Sequence, residues 1–312
     1  MNPSGRPDSK HGLLYGLAAY GLWGLIPLYF KSVADVAPLE VLAHRALWSC
    51  AMLALLIGWL GRWAELRREL RSPRLLAMLA LTSLLIAVNW LTFIHAVVTR
   101  QLLQASLGYF VNPLVSVLLG VVFLRERLRP RQVASIALAA IGVIVLATLV
   151  GQLPWISLTL AFSFALYGLM RKVMPVDGMV SLAVETLVLA PFALVYLGYL
   201  AAHDQLTGPT PPTLGLLMLS GPVTTVPLLF FGAAARRLRL STLGILQYVT
   251  PTGQFLLAVL AFGESFSTPQ LLSFACIWTA VAIYTFDSYR AARRIRAGRF
   301  EPFGADDGDG SE

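Results

Sequence analysis

LLQASLGYFVNPLVSVLLGVVFL, residues 102–124, runs from end to end without a charged side chain. A hydrocarbon core about 30 Å thick is crossed by roughly 20 apolar residues in a helix, and this stretch supplies them. It also carries Gln104, Ser106, Tyr109 and Asn112, with Pro113 near its centre. A proline inside a helix cannot donate to the carbonyl four residues earlier, here that of Tyr109. Such a carbonyl is tolerated at membrane depth only where protein or cavity water satisfies it. The segment therefore reads as a spanning helix beside a wet cavity, with a packing kink as the plainer alternative.

A shift of 138 residues, from Pro113 to Pro251, brings up a second segment of the same kind, TLGILQYVTPTGQFLLAVLAF at 242–262. In that frame Glu126 falls on Glu264 and Gln132 on Gln270, together with Val111/Val249, Leu118/Leu256, Ser135/Ser273 and Ala137/Ala275. Apolar coincidences are cheap in so apolar a chain, but polar and proline coincidences in one frame are not. Pro251, also placed near a helix centre, frees the carbonyl of Gln247, with Tyr248 and Thr250 beside it. The chain is thus expected to hold two copies, 12–150 and 154–287, between a leading tail (1–11) and a trailing one (288–312).

Composition sets the class. Of the 312 residues, 57% are hydrophobic and 13% charged. Soluble domains are about 45–50% apolar and 25% charged, and disordered chains are polar. A polytopic, all-α integral membrane protein is what remains. Ten spans are expected: Gly12–Phe30, Pro38–Leu60, Pro73–Val97, Leu102–Leu124, Gln132–Val150, Pro154–Met170, Met179–Leu200, Thr213–Ala234, Thr242–Phe262 and Pro269–Asp287. Pro73 after Ser72 and Pro269 after Thr268 have the form of helix starts. The first span leads straight into the second, so it is expected to be a retained helix and not a cleaved signal.

All but Lys31, Arg45 and Arg100 of the 24 lysines and arginines fall in the two tails or in alternate loops. Arg62, Arg67, Arg68, Arg71 and Arg74 lie in loop 2–3, Arg125, Arg127, Arg129 and Arg131 in loop 4–5, Arg171 and Lys172 in loop 6–7, and Arg236, Arg237 and Arg239 in loop 8–9. Positive loops stay in the cytoplasm, which places both termini there. The same pattern accounts for the net charge of +8 and the basic runs RERLRPR and RRLRL, so no nucleic acid is expected. The acidic, Gly-rich end GADDGDGSE is expected to be disordered.

Five spans per copy is an odd number, so the second copy enters the membrane from the opposite side. Glu126 would face the cytoplasm and Glu264 the exterior. Inverted repeats with broken helices at matching positions are the architecture of many secondary transporters, the site lying near the midplane. A duplication kept only for stability is the alternative.

QASLGYFVNPL (104–114), NWLTFIHAV (89–97), EVLAHRALWS (40–49), FSFALYGLMRK (162–172) and VTTVPLLFFGAAARRLRLSTLGILQYVTPT (223–252) resemble the RarD-like branch of the EamA family, in the drug/metabolite transporter superfamily. The resemblance runs from about Gly12 to Asp287. It implies a ten-helix carrier in a bacterial inner membrane, two EamA repeats around a central cavity, and a link to chloramphenicol sensitivity. It names no physiological substrate.

Intramembrane charges are costly and each has two readings. Glu185, six residues into the seventh span and roughly 9 Å deep, either carries a coupling proton or cationic group or pairs with Arg171. His44 and Arg45 lie about two turns into the second span. Arg45 can attract an anion, although snorkelling or structural pairing is the favoured reading. His95, near Arg100, reads as a packing residue ahead of a proton relay. Asn89, Trp90 and Phe93, with Tyr20, Trp23, Tyr167, Thr224 and Thr225 (followed by Pro227), suit a mostly apolar pocket for an amphiphilic molecule. Each aromatic taken alone is ordinary packing. Trp59, Trp63 and Trp155 sit at span ends as interface anchors. Cys50 and Cys276 lie in apolar runs, with neither a disulfide framework nor metal spacing.

The chain has no Gly-rich loop ending in Gly-Lys-Ser/Thr, and no HExxH, CxxC or GxSxG. ATP drive, a cofactor and a metal are therefore not expected. The reading that fits best is a gradient-driven carrier of a small organic metabolite or drug-like amphiphile, its fourth and ninth spans rocking against the rest. Its partners would be that small molecule and membrane lipid, with monomer and homodimer both open. A non-transporting sensor or assembly component competes with it. An intramembrane enzyme using Glu185, His44 or His95 lacks a paired constellation.

Overall fold

The computed structural model describes residues 10–124, 130–151, 153–174, 176–207, 210–235, 237–238 and 246–297. Glu126, the loop arginines Arg125, Arg127, Arg129, Arg236 and Arg239, and the acidic end lie outside them. The described chain is helical, without a strand: α1 Lys10–Ser32, α2 Pro38–Trp59, α3 Trp63–Leu70, α4 Pro73–Val98, α5 Leu102–Leu124, α6 Pro130–Val150, α7 Trp155–Val173, α8 Gly178–Ala202, α9 Pro211–Met218, α10 Ser220–Ala235, α11 Val249–Leu256 continuing as a π-turn Leu257–Ala261, and α12 Thr268–Ala297. Among these residues, eight helical segments are long and apolar enough to cross a membrane, Pro211–Ala234 counted as one. Trp155–Arg171 and Val249–Ala261 are shorter apolar helices.

The helix starts follow from local chemistry. Prolines open α2, α4 and α9, where the missing N–H has no helical partner to lose. Ser72, Thr210 and Asp177 cap α4, α9 and α8 by accepting from backbone N–H groups. The ends follow too. Gly61, Arg100 and Asp204 adopt left-handed backbone after α2, α4 and α8. In each case the next N–H reaches back five residues, Arg62 to Ile57, Gln101 to Ala96 and Gln205 to Leu200, as in a Schellman stop. The amides of Leu102 and Leu103 at the start of α5 donate to the two carboxylate oxygens of Glu264, at 2.7 and 2.9 Å.

Three features depart from the sequence reading. The basic loop between the second and third spans folds as α3. The eighth span breaks at Leu219 into α9 and α10. The tenth continues past Asp287 to Ala297, so helix enters the region assigned to the trailing tail.

Contacts group the helices as α2 with α8, α6 with α12, α5 with α7 and α11, α1 with α10 and α11, α4 with α7 and α8, and α2 with α10. The outward faces are apolar, with Leu55, Phe192, Val195 and Leu260 all exposed. Lipid tails are as apolar as leucine, so helices in a bilayer associate by close packing of small residues and by polar bonds. Gly108 on α5 shows the first device: a Cβ there would lie 2.6 Å from the carbonyl oxygen of Ser157 on α7. Gly198, on α8, has open space instead. Gly108→Ala is therefore expected to lower the detergent unfolding midpoint by an overpacking cost of ~1–3 kcal/mol. Gly198→Ala should leave it unchanged or raise it, since alanine is the better helix former by about 1 kcal/mol. Thermal unfolding of the two purified variants checks this.

Candidate functional site

Of the charged side chains buried among the described residues, two stand at matching depths in their helices. Arg45 is the eighth residue of α2, Glu185 the eighth of α8, each about 10 Å along its helix by rise per residue.

Arg45 is 6% exposed. Its Nε donates to Thr224 Oγ1 on α10 at 3.0 Å. The guanidinium carbon lies 4.0 Å from the Trp90 ring centroid and 5.4 Å from that of Phe30. The hydroxyls of Tyr29 and Tyr109 are within its electrostatic reach. No carboxylate lies within ion-pair distance of it among the described residues. A charge at bilayer depth costs about 2.5–3.5 kcal/mol on insertion scales. A desolvated cation–π contact gives about 2 kcal/mol, and a hydrogen bond from a charged group about 1.5–3 kcal/mol. These are of the same order, so the arginine is held inside the bundle without an acid. Its head is thus placed inside the bundle and not at a surface, and among the described residues it pairs with a hydroxyl and aromatic rings and not with a carboxylate.

The polar network continues from there. Asn89 on α4 donates through Nδ2 to Leu160 O at 3.1 Å and to Ser163 Oγ at 3.0 Å, both on α7. Its Oδ1 accepts from the Tyr109 hydroxyl at 3.1 Å. Tyr29 OH donates to Leu216 O at 3.0 Å. Phe93 packs between Phe30 and Tyr109, with centroids 5.9 and 5.8 Å away. Seven helices thus contribute to one cluster.

Glu185 is fully buried. Its Oε1 accepts from Thr82 on α4 at 2.8 Å and its Oε2 from Tyr167 on α7 at 3.1 Å. Arg171 Nη1 stands 4.0 Å off. At the nearby start of α8, Asp177 accepts from the Met179 and Val180 amides and from Arg62 Nη1 at 3.1 Å. Arg62 also holds Glu65. That pairing keeps the Glu65 carboxyl below its ordinary value. For Asp177, partial burial pushes upward, but Arg62 and the two amides outweigh it and the carboxyl also ends low.

The structure therefore gathers Asn89, Trp90, Phe93, Tyr109 and Thr224 around Arg45, and Tyr167 at Glu185. Other expected site residues lie apart. Tyr20 and Trp23 pack with Phe231, and the Tyr20 carbonyl accepts from Thr250 at 2.9 Å. Tyr248 stacks on Phe110. Asn112 accepts from Ser116, His95 packs on Trp155, and His44 lies near Glu40. The Thr225 hydroxyl is buried without a partner among the described residues. Gln247 is half-buried in the turn before α11. Pro113 lies inside α5 as expected, but Pro251 sits in the first turn of α11 and not near a helix centre. There its missing N–H costs nothing, and the Pro251 carbonyl accepts from Ser106 at 2.9 Å.

Sequence reasoning missed Tyr29, Phe30, Thr82 and Ser163. A signal existed for Tyr29, because the 138-residue shift lays it on Tyr167. Small hydroxyls in apolar runs carry none.

Glu185→Gln keeps an acceptor for one hydroxyl and should preserve the fold, whereas Glu185→Leu strands buried donors and should cost ~2 kcal/mol or more in detergent unfolding. Both Asp177 and Glu65 have lowered values in the folded state. Their contribution is therefore complete above the ordinary carboxylate range and is lost as pH falls through the lowered values. Unfolding midpoints measured against pH should show this acid loss in the native chain and a weaker one in Arg62→Gln.

The EamA-like transporter family matches residues 10–148. Protein RarD of Streptomyces exfoliatus is 46% identical over 292 residues, covering 93% of each chain. An uncharacterized transporter of Vibrio cholerae is 44% identical over 302 residues, 96% of this chain and 99% of that one. A solved crystal structure shares the fold at a TM-score of 0.59 and 21% identity, covering 88% of this chain and 97% of the other. With bundle and relatives in agreement, this chain is a multi-pass membrane protein of the EamA transporter family, in its RarD-like branch.

Proposed function

We propose that the protein is a secondary carrier built as two inverted five-span repeats, 12–150 and 154–287, with ten spans and both termini in the cytoplasm of a bacterial inner membrane. It moves a small organic amphiphile by alternating access around the cluster at Arg45. The packing pattern is the observation that carries this. With α9 and α10 taken as the eighth span and α11 as the ninth, each span is exchanged with the one five further on. The pairs α2–α8, α6–α12 and α5–α11 then map onto themselves. The pairs α5–α7, α4–α7 and α2–α10 map onto α11–α1, α10–α1 and α8–α4, all of them present. Local detail supports the same exchange. Tyr29 and Tyr167 are 138 residues apart, while Pro38 and Gly178, which open α2 and α8, and Arg45 and Glu185 within them are all 140 apart. Each charge takes a threonine hydroxyl from the opposite repeat, Thr224 or Thr82.

Inverted repeats place the substrate near the midplane on discontinuous helices. Gln247 and Tyr248 form a turn between helical Leu246 and α11, and the π-turn at the far end of α11 is a second irregularity. Trp90, Phe93 and Phe30 supply apolar walls, and Arg45, Asn89 and Tyr109 supply fixed polar groups, the composition of a small-molecule site. Chloramphenicol is one amphiphile that such a site would meet. Glu185, already held by two hydroxyls, acts as an internal anchor in this reading and not as a proton carrier.

Cysteines placed at Ser265 and Arg127, in a chain otherwise free of Cys50 and Cys276, should label from opposite sides of the membrane; labelling from one side removes the inversion. Proteoliposomes should show saturable counterflow for some member of a broad metabolite and drug panel, and none at all would favour a sensor or assembly component. The pH dependence of that flux should survive Glu185→Gln; its abolition would make Glu185 the coupling group.

A further inference from the structure

We infer that the cargo carries a carboxylate, bound by the guanidinium of Arg45, with its apolar body against Phe30, Trp90 and Phe93. This rests on the transport reading and narrows it. The asymmetry between the two matched charges points to it. Glu185 is answered by the chain itself, through Thr82, Tyr167 and Arg171. Arg45, in the corresponding place, has among the described residues the neutral oxygen of Thr224 and the faces of Trp90 and Phe30, and no carboxylate.

A guanidinium carries five N–H donors, and only one of them is on Nε. The Nη1 and Nη2 atoms of Arg45 have no acceptor among the described residues, yet neither belongs to the sealed, unsatisfied polar atoms of the core. They belong to a side chain that is 6% exposed. Buried donors are nearly always matched, and a planar fork of charged N–H groups is matched best by two oxygens in a plane. The hydroxyls bordering the fork do not compete for those oxygens. Tyr29 donates to Leu216 O and Tyr109 to Asn89 Oδ1, which leaves the guanidinium, with the Thr224 hydroxyl it bonds, to meet an anion. A monocarboxylate brings one negative charge to one cation, whereas a phosphate ester brings about −1.5 to −2 and would leave excess charge at bilayer depth. The rings of Phe30 and Trp90 beside the guanidinium, with Phe93 packed on Phe30, favour an aryl or branched alkyl acid.

The test uses the full-length protein and probes of matched shape: phenylacetate, phenylacetamide, phenethylamine and phenyl phosphate. Ligand-induced rise of the unfolding midpoint in detergent gives binding, and counterflow in proteoliposomes, corrected for leak through protein-free vesicles, gives transport. Phenylacetate is expected to bind at least ~30-fold more tightly than the amide or the amine, the lower end of the loss for truncating one partner of a buried charge pair. Arg45→Lys, which keeps the charge but not the fork, should lose ~10-fold, and Arg45→Gln should lose the preference altogether. Gly198→Ala, on α8 with open space around it, should fold and keep the preference, and a cooperative unfolding transition in Arg45→Gln separates loss of binding from loss of fold.

Amide or amine bound as well as the acid, or an acid preference that survives in folded Arg45→Gln, overturns the inference while leaving the carrier intact. Phenyl phosphate outbinding phenylacetate overturns the carboxylate assignment in the same way. A wild-type protein that binds and moves none of the probes, nor any compound of the broad panel, overturns the carrier reading and this inference with it.

Discussion

The interaction on which the structure most depends is the hydrogen bond between one helix and another inside the bundle. Apolar burial does little to hold spanning helices together, because the lipid they would otherwise face is equally apolar. Here the bonds join the two halves of the chain almost throughout. Ser106 reaches the Pro251 carbonyl, Thr250 that of Tyr20, Ser157 that of Gln104, Tyr29 that of Leu216 and Asn89 that of Leu160. The bonds from Arg45 to Thr224 and from Thr82 to Glu185 cross in the same sense. Among the described residues, the side-chain bonds that stay inside one half while linking different spans are those of Tyr109 to Asn89 and Tyr167 to Glu185, beside that of Ser220 to the Leu217 carbonyl across the break between α9 and α10. The halves are interleaved and tied at depth; they do not stand side by side.

That arrangement bears on how such a molecule moves. Any rearrangement of α5 and α11 against the other helices has to exchange hydroxyl-to-carbonyl bonds, which are individually modest and can be replaced by water. The close approach at Gly108 is less forgiving, since backbone meets backbone there. A hinge is therefore better sought where the helices are already irregular, at Gln247–Tyr248 or Leu257–Ala261, than at the α5–α7 seam.

Much of this was legible in the sequence and some was not. The apolar runs and the alternation of arginine-rich loops gave the membrane class and most span positions, because lipid imposes both patterns on every segment alike. The cluster at Arg45 was half legible: Asn89, Trp90, Phe93, Tyr109 and Thr224 stood out as polar or amphipathic residues in apolar runs. What linear order hides is which faces meet. Thr82 and Ser163 look like ordinary small residues until α4 is set against α7 and α8. Proline was misleading at residue 251, since a ring that breaks a helix and a ring that begins one look alike in sequence. The short helix α3 was hidden by its own charges, which topology alone seemed to explain.

The carboxylate of Glu264 has one consequence of its own. It stands in for the missing helical acceptors at the head of α5, binding two amides that would otherwise point into the interface. If the bundle parts at this end, solvent must take over both amides and the anion in one step. The mouth there then behaves as a latch, released as readily as water can reach it. Occupancy of an open form would thus depend on hydration at Glu264.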